Sequence, residues 1–144
     1  MSHRKLRRLR SHEDGSAVIE FAFALPVLIM FIWGIAQIGM IMAADAGIQH
    51  ALGEGARMAT LFPTPTNAAV KQRMSDSLFG QFLGSYNVAD PVTNSATTAG
   101  NRYTDLSITY TVTPDFLFFK AANVQFVRTK RVYTTEPLTA STSS

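Results

Sequence analysis

The 144-residue chain contains no cysteine. That excludes the disulfides on which small extracytoplasmic domains often rely, and it excludes cysteine-ligated metal sites. Any domain built here must be held by packing alone. Charge is scarce and uneven: charged residues are 16 % of the chain, and none falls between Phe21 and Ala44, where Gln37 is the one strongly polar residue. The formal net charge of +3 resides wholly in the first fifteen residues, where Arg4, Lys5, Arg7, Arg8 and Arg10 face only Glu13 and Asp14. After Gly15 the eight basic and eight acidic residues cancel, so the basic balance describes a leader rather than a nucleic-acid surface. Catalytic signatures are missing too. No glycine-rich phosphate loop and no Ser-His-Asp pattern occurs. His3 and His12 lie in the leader, and His50, four residues before Glu54, reads as half of a helix-surface pair. No enzymatic activity, cofactor or metal is expected.

What is present begins with the uncharged stretch. Its twenty-four residues make a helix of roughly 36 Å, enough to cross a hydrocarbon layer of about 30 Å. A domain this small could not wrap such a helix on all sides, which argues against a buried core helix. The basic cluster precedes the stretch, so the N-terminus is expected in the cytoplasm and the remainder outside. A secretory signal peptide ending at Ala44-Asp45-Ala46, with cleavage before Gly47, is the rival reading, but its apolar region would far exceed the usual 7–15 residues. Helical pattern continues past the membrane to Leu61 and stops at Phe62-Pro63-Thr64-Pro65. Gly53 and Gly55 each cost about 1 kcal/mol against alanine, so a bend or fraying is expected near that end.

A second helix is expected over Pro65–Leu83, with Thr64 as cap and Gly84 as stop; Val70, Met74, Leu78 and Phe82 recur at i+4 and give it one apolar face. Residues 85–102 read as a long surface loop, with room for a short strand near Val88. Leu106, Ile108, Tyr110 and Val112 alternate with polar residues, the pattern of a half-buried strand. A turn is expected from Pro114-Asp115, followed by Phe116-Leu117-Phe118-Phe119, then a more mixed strand over Asn123–Thr135. The expected fold is α+β: a leader over 1–15, a transmembrane helix with an extracytoplasmic extension over 16–61, a small α+β domain over 62–136 with a second amphipathic helix and a small antiparallel sheet, and a disordered tail over 137–144. Two strands and one helix do not stand alone, so they must pack on the outer half of the first helix.

Spacing also singles out Gly39, Ala43, Gly47, Ala51, Gly55 and Ala59, small residues at strict i+4 intervals. They form one slanting ridge where another backbone can approach closely. Two uses compete: docking the chain's own second helix and sheet, or contacting a neighbouring subunit, the latter favoured for Gly39 and Ala43 because they lie in the membrane stretch. Pro26 removes one intrahelical hydrogen bond and is expected to loosen the helix. Arg128, Lys130 and Arg131 form a short basic patch that a solvated sheet edge explains.

The run GSAVIEFAFALPVLIMF, starting at Gly15, joins a basic leader ending in glycine, four small or apolar residues, Glu20, and the apolar span. It resembles the recognition pattern of type IV prepilins, whose membrane peptidase cuts after the glycine; here the cut falls between Gly15 and Ser16. A glycine beside the helix start would leave the backbone extended and open to a protease, and the cut would remove the leader's positive charge. Further on, LPVL, a Gly-containing span and Glu54-Gly55-Ala56-Arg57 resemble TadE-like pseudopilins, minor components of the tight-adherence (Tad/Flp) pilus machinery. The resemblance implies cleavage by a prepilin peptidase, residence in the inner membrane, and partners among other pseudopilins, pilus-assembly membrane proteins and lipid. Glu20 then gains a role: the ammonium created at Ser16, on this chain or a neighbour, becomes its partner. Simple snorkelling of Glu20 to the headgroups is the alternative. The rival function is an uncut, signal-anchored envelope protein binding a ligand or surface polymer through the 85–102 loop.

Overall fold

The structure, a computed structural model, describes residues 13–94, 102–116 and 119–134. The leader up to His12, the loop residues 95–101 and the tail from residue 135 on, the expected disordered segment included, lie outside the described residues.

Helix α1 (Glu13–Ala59) runs 47 residues, about 70 Å at 1.5 Å per residue. It continues through Pro26, Gly53 and Gly55 without a break. Gly55 is buried under Met74, so tertiary packing offsets the propensity cost that predicted fraying there. One helix among the described residues, Gly15–Ala59, is long and apolar enough to cross a membrane.

Helix α2 (Asn67–Asp76) is shorter than expected at both ends. Thr66, not Thr64, is the N-cap: its hydroxyl accepts from the Ala69 N–H at 3.2 Å, satisfying one of the orphan donors of the first turn. At the other end the Ser77 N–H closes on the Arg73 and Met74 carbonyls, and Gly80 takes a left-handed φ of +80°, which ends helical geometry. Val70 and Met74 are fully buried, Leu78 is half-buried, and Phe82 is 65 % exposed. The i+4 apolar series is therefore only half used.

The sheet is built on β3 (Tyr103–Val112), whose burial alternates without exception; Thr104, Leu106, Ile108, Tyr110 and Val112 face the core. One edge of β3 pairs along its full length with antiparallel β6 (Val124–Tyr133). The other edge takes β1 (Gly84–Val88) and β2 (Val92–Thr93), also antiparallel. The segment expected as a loop with a short strand near Val88 therefore forms that strand, β1, and a second one, β2. Val88 lies opposite Ile108 and Val92 opposite Asp105, so four steps on one side face three on the other, a bulge at Ala89–Pro91. Proline suits that place because it lacks the N–H that the ladder would need. A separate hairpin pairs β4 (Asp115–Phe116) with β5 (Phe119–Lys120) where only a turn and an aromatic run were expected.

The core gathers Ala44, Ile48, Ala51, Leu52 and Ala59 from α1, Val70 and Met74 from α2, the inner face of β3, and Val132 of β6. The outer half of α1 is thus the wall on which the domain is assembled, and it supplies apolar surface that the short elements lack.

Candidate helix-docking and assembly surface

Along α1 the environment changes once. From Gly15 to Ala36 no residue is buried, and large apolar side chains such as Phe23 (77 % exposed) and Phe31 (64 %) face outward. Gln37 is the first buried residue, at 1 %. From there to Ala59 one flank of the helix is covered by the chain's own domain.

The small-residue ridge lies across this boundary. Gly39 is exposed, and a Cβ built there would meet nothing within 4 Å. Ala43 is half-buried, its carbonyl oxygen lying where a Cβ on Gly80 would come to 2.8 Å. Gly47 is buried against backbone: an added Cβ would lie 2.1 Å from the Phe79 carbonyl oxygen. Ala51 and Ala59 are in the core, and a Cβ on Gly55 would meet Met74 Cγ at 2.4 Å. Small residues are used here because Phe79–Gly80 crosses α1 at backbone distance and the Met74 side chain packs directly onto Gly55, where larger side chains would hold both off. Ala43, for which a neighbouring subunit was favoured by position, has its backbone carbonyl beside this chain's own Gly80, whereas nothing of this chain lies within 4 Å of a Cβ built on Gly39.

The Glu54-Gly55-Ala56-Arg57 motif belongs to the same contact. Glu54 accepts from Arg73 Nε of α2 at 3.2 Å and from Arg57 one turn away at 3.3 Å. Gly55 admits Met74, and Ala56 packs half-buried against the core. The two guanidiniums, Arg73 first, hold the Glu54 carboxyl below its ordinary range. Because Glu54 is taken by these arginines, the expected pairing with His50 is replaced; the His50 ring lies against Phe79, centroids 5.8 Å apart.

Two further ties escaped the sequence reading. Asp45 accepts from Arg128 Nε at 2.8 Å and from Gln49 at 2.9 Å, and the Arg128 hydrogen bond holds the Asp45 carboxyl below its ordinary range. Arg131 instead forks onto Asp105, both bonds 2.8 Å, and stacks over Tyr103 at 3.7 Å. The expected basic patch is therefore divided between opposite faces of the sheet, as alternation along a strand dictates. Nearer the membrane stretch, Gln37 brackets the backbone of Asp115: its amide donates to the Asp115 carbonyl and its oxygen accepts from the Asp115 N–H at 2.9 Å, while Trp33 Nε1 donates to the same carbonyl at 2.7 Å. Gln37 was visible in the sequence as a lone polar residue in an apolar run, a pattern that points to a partner; nothing in the sequence named Asp115 as that partner.

On the other flank of α1 an open groove of about 440 Å³ lies between the helix and β6, walled by Ile41, Met42 and Phe126 and crossed by Asp45–Arg128. This flank is closed only in part, by Phe126 and Arg128 of β6. At the far end, Gly15, Ser16 and Glu20 are exposed within the first turns of α1. Gly15 is thus helical where an extended backbone was expected. The first four N–H groups of a helix have no intrahelical acceptor, so the Gly15–Ser16 bond still lies where few hydrogen bonds oppose opening.

No curated protein and no solved structure matches the chain. The family model described as TadE-like protein matches residues 15–57. That interval runs from the glycine before Ser16, through the exposed apolar helix, to Arg57, the last residue of the α2-docking motif; the sheet lies beyond it. Over residues 15–57 the chain is therefore similar to the family described as TadE-like protein.

Proposed function

We propose that the chain is a minor pseudopilin: cut by a prepilin peptidase between Gly15 and Ser16, held in the inner membrane as a single span with its domain outside, and acting without catalysis in assembly of a Tad/Flp-type pilus by packing its helix against other pseudopilins. The observation that carries this reading is the division of α1. Its outer half is consumed by the chain's own core, whereas its inner half presents exposed apolar side chains with one acid, Glu20, among them. A carboxylate at the edge of a bilayer is costly unless it is paired. Cleavage would create an ammonium at Ser16, at a helix N-terminus where a carboxylate gains only about 0.3–1 kcal/mol from the dipole. A neighbour's ammonium, met in a low-dielectric packing interface, gains more. Gly39 and the groove beside Met42 extend the available contact face along α1.

Glu20→Ala and Glu20→Gln test the proposal. Both variants should be cut and inserted as wild type, since the peptidase acts at Gly15–Ser16, five positions before Glu20, and the span remains apolar. Both should lose co-purification with other pilus components and lose surface pili. Wild-type partner recovery and piliation in both variants would leave Glu20 as a snorkelling residue and remove the assembly role assigned to it.

A further inference from the structure

Taken alone, the uncharged stretch Phe21–Ala44 would centre the bilayer near Ile32 and Trp33. The structure places the β4–β5 hairpin at that level of the helix. Asp115 is bound by Gln37 and by Trp33 Nε1 at 2.7 Å, and the Phe116 ring lies 3.7 Å from where a Cβ on Gly34 would stand. The hairpin also carries Lys120, which pairs with Asp115 at 3.6 Å while remaining largely exposed. Such an arrangement is costly at a bilayer centre: two largely exposed ionised side chains and a non-helical backbone there would lack water. Lipid is in any case displaced from one flank of α1 from Gln37 outward.

Resting on the membrane-spanning reading above, we infer that the outer hydrocarbon boundary lies at Trp33, and that the β4–β5 hairpin is an interfacial anchor whose Phe116 and Phe119 rest in the outer leaflet. Three observations converge on lipid as the occupant of this surface. First, Ser16 to Trp33 is 18 residues, roughly 27 Å of helix, close to the thickness of a hydrocarbon core of about 30 Å; no mismatch remains to be relieved. Second, the two phenylalanines stack with centroids 5.2 Å apart, yet Phe119 remains 58 % exposed, and the sequence between them, Leu117-Phe118, is apolar as well. A half-buried Phe116 and an exposed Phe119, contiguous with the exposed apolar surface of a membrane helix, continue that lipid-facing surface. Third, the side chains at its border are amphipathic: Trp33, whose N–H is bonded while its ring is 42 % exposed, and Lys120, whose stem can lie along the apolar surface while its ammonium reaches the headgroups. Gln37 then becomes the clasp that fixes the hairpin, and through it the domain, at a set height above the membrane.

Trp33 is the chain's single tryptophan, and the absence of cysteine gives a clean background for labelling. The full chain is reconstituted in phosphatidylcholine vesicles containing lipids brominated either near the headgroup end or near the terminal end of the acyl chain. Trp33 fluorescence should be quenched about twofold more by the shallow bromines than by the deep ones, as an interfacial ring requires. In parallel, an environment-sensitive fluorophore on Phe119→Cys should be blue-shifted and shielded from an aqueous quencher, whereas the same label on Tyr133→Cys, at the other end of the sheet, should be accessible. Strongest quenching by the deep bromines would overturn the boundary while leaving the span intact. Shallow quenching with a water-accessible label at position 119, or shielding there that appears only when a protein partner is added, would overturn the anchor. No quenching at either depth would remove the membrane reading and this inference together.

Discussion

Replacing Gly47 by alanine adds one methyl group and should nevertheless undo the domain's seat on α1. In isolation the change favours the helix by about 1 kcal/mol, because glycine is the poorer helix former. At this position the added Cβ meets three backbone atoms of Phe79: the oxygen at 2.1 Å, the carbonyl carbon at 3.0 Å and the nitrogen at 3.2 Å. Backbone cannot swing aside as a flexible side chain does, so the whole 77–80 segment must recede. The Tyr86 hydroxyl, which donates to that same Phe79 oxygen at 2.7 Å, is then pulled from its acceptor, at a cost of about 1 kcal/mol. Overpacking of a well-filled contact adds about 1–3 kcal/mol. The net expectation is destabilisation by about 1–3 kcal/mol, or a fall in melting temperature of about 4–8 °C per kcal/mol for a domain of this size. Gly53 is the internal control: a Cβ there meets nothing within 4 Å, so Gly53→Ala should stabilise by up to about 1 kcal/mol. Thermal denaturation of the detergent-solubilised full chain, followed by near-ultraviolet circular dichroism, reads the packing directly because Tyr86 and Tyr110 lie 4.9 Å apart in the core. If Gly47→Ala melts at or above wild type, level with Gly53→Ala, the ridge is not the close backbone contact described.

Truncating Met74, fully buried against Gly55, should cost about 2–5 kcal/mol in the same melt, and a loss under 1 kcal/mol would mean that α2 docks elsewhere. Thr66→Ala removes the α2 cap and should cost about 1 kcal/mol, with Thr66→Ser close to wild type; equal stability of all three would dismiss the cap. Asp45 and Glu54 have folded-state pKa values depressed by Arg128 and Arg73 respectively. The stability they contribute is therefore complete above the unfolded carboxylate range of about 4, and it is lost as pH falls through the lower folded values. The stability gap between wild type and Asp45→Asn should accordingly be full at neutral pH and close on acidification, whereas a gap independent of pH would refute the Asp45–Arg128 tie.

How legible these features were depended on whether the signal was local. The long helix was readable because an uncharged run has few other uses, and β3 because its alternation is unbroken. Helix α2 was overextended because Val70, Met74, Leu78 and Phe82 keep helical spacing to the end, yet the chain leaves the helix at Ser77. The competing term is tertiary: backbone at Phe79–Gly80 gains a close seat on Ala43 and Gly47, and Gly80 supplies the positive φ that the departure needs. Strand β1 was legible only as a short strand near Val88 and β2 was masked by turn-forming residues, since their pairing is dictated by β3 and not by their own pattern. The small-residue ridge could be read from spacing, but whether Ala43 served this chain or a neighbour depended on where Gly80 would fall. Gln37 stood out as an anomaly, although its partner is 78 positions away in sequence, beyond any local signal.

If a prepilin-type cut converts this chain into a membrane-held pseudopilin, the intact mass of the protein recovered from cells that carry its own pilus system will show it. The expected chain begins at Ser16, and full-length precursor accumulates when Gly15 is changed to arginine. A wild-type chain beginning at Met1, or one beginning at Gly47 as a secretory signal would leave it, would contradict the claim.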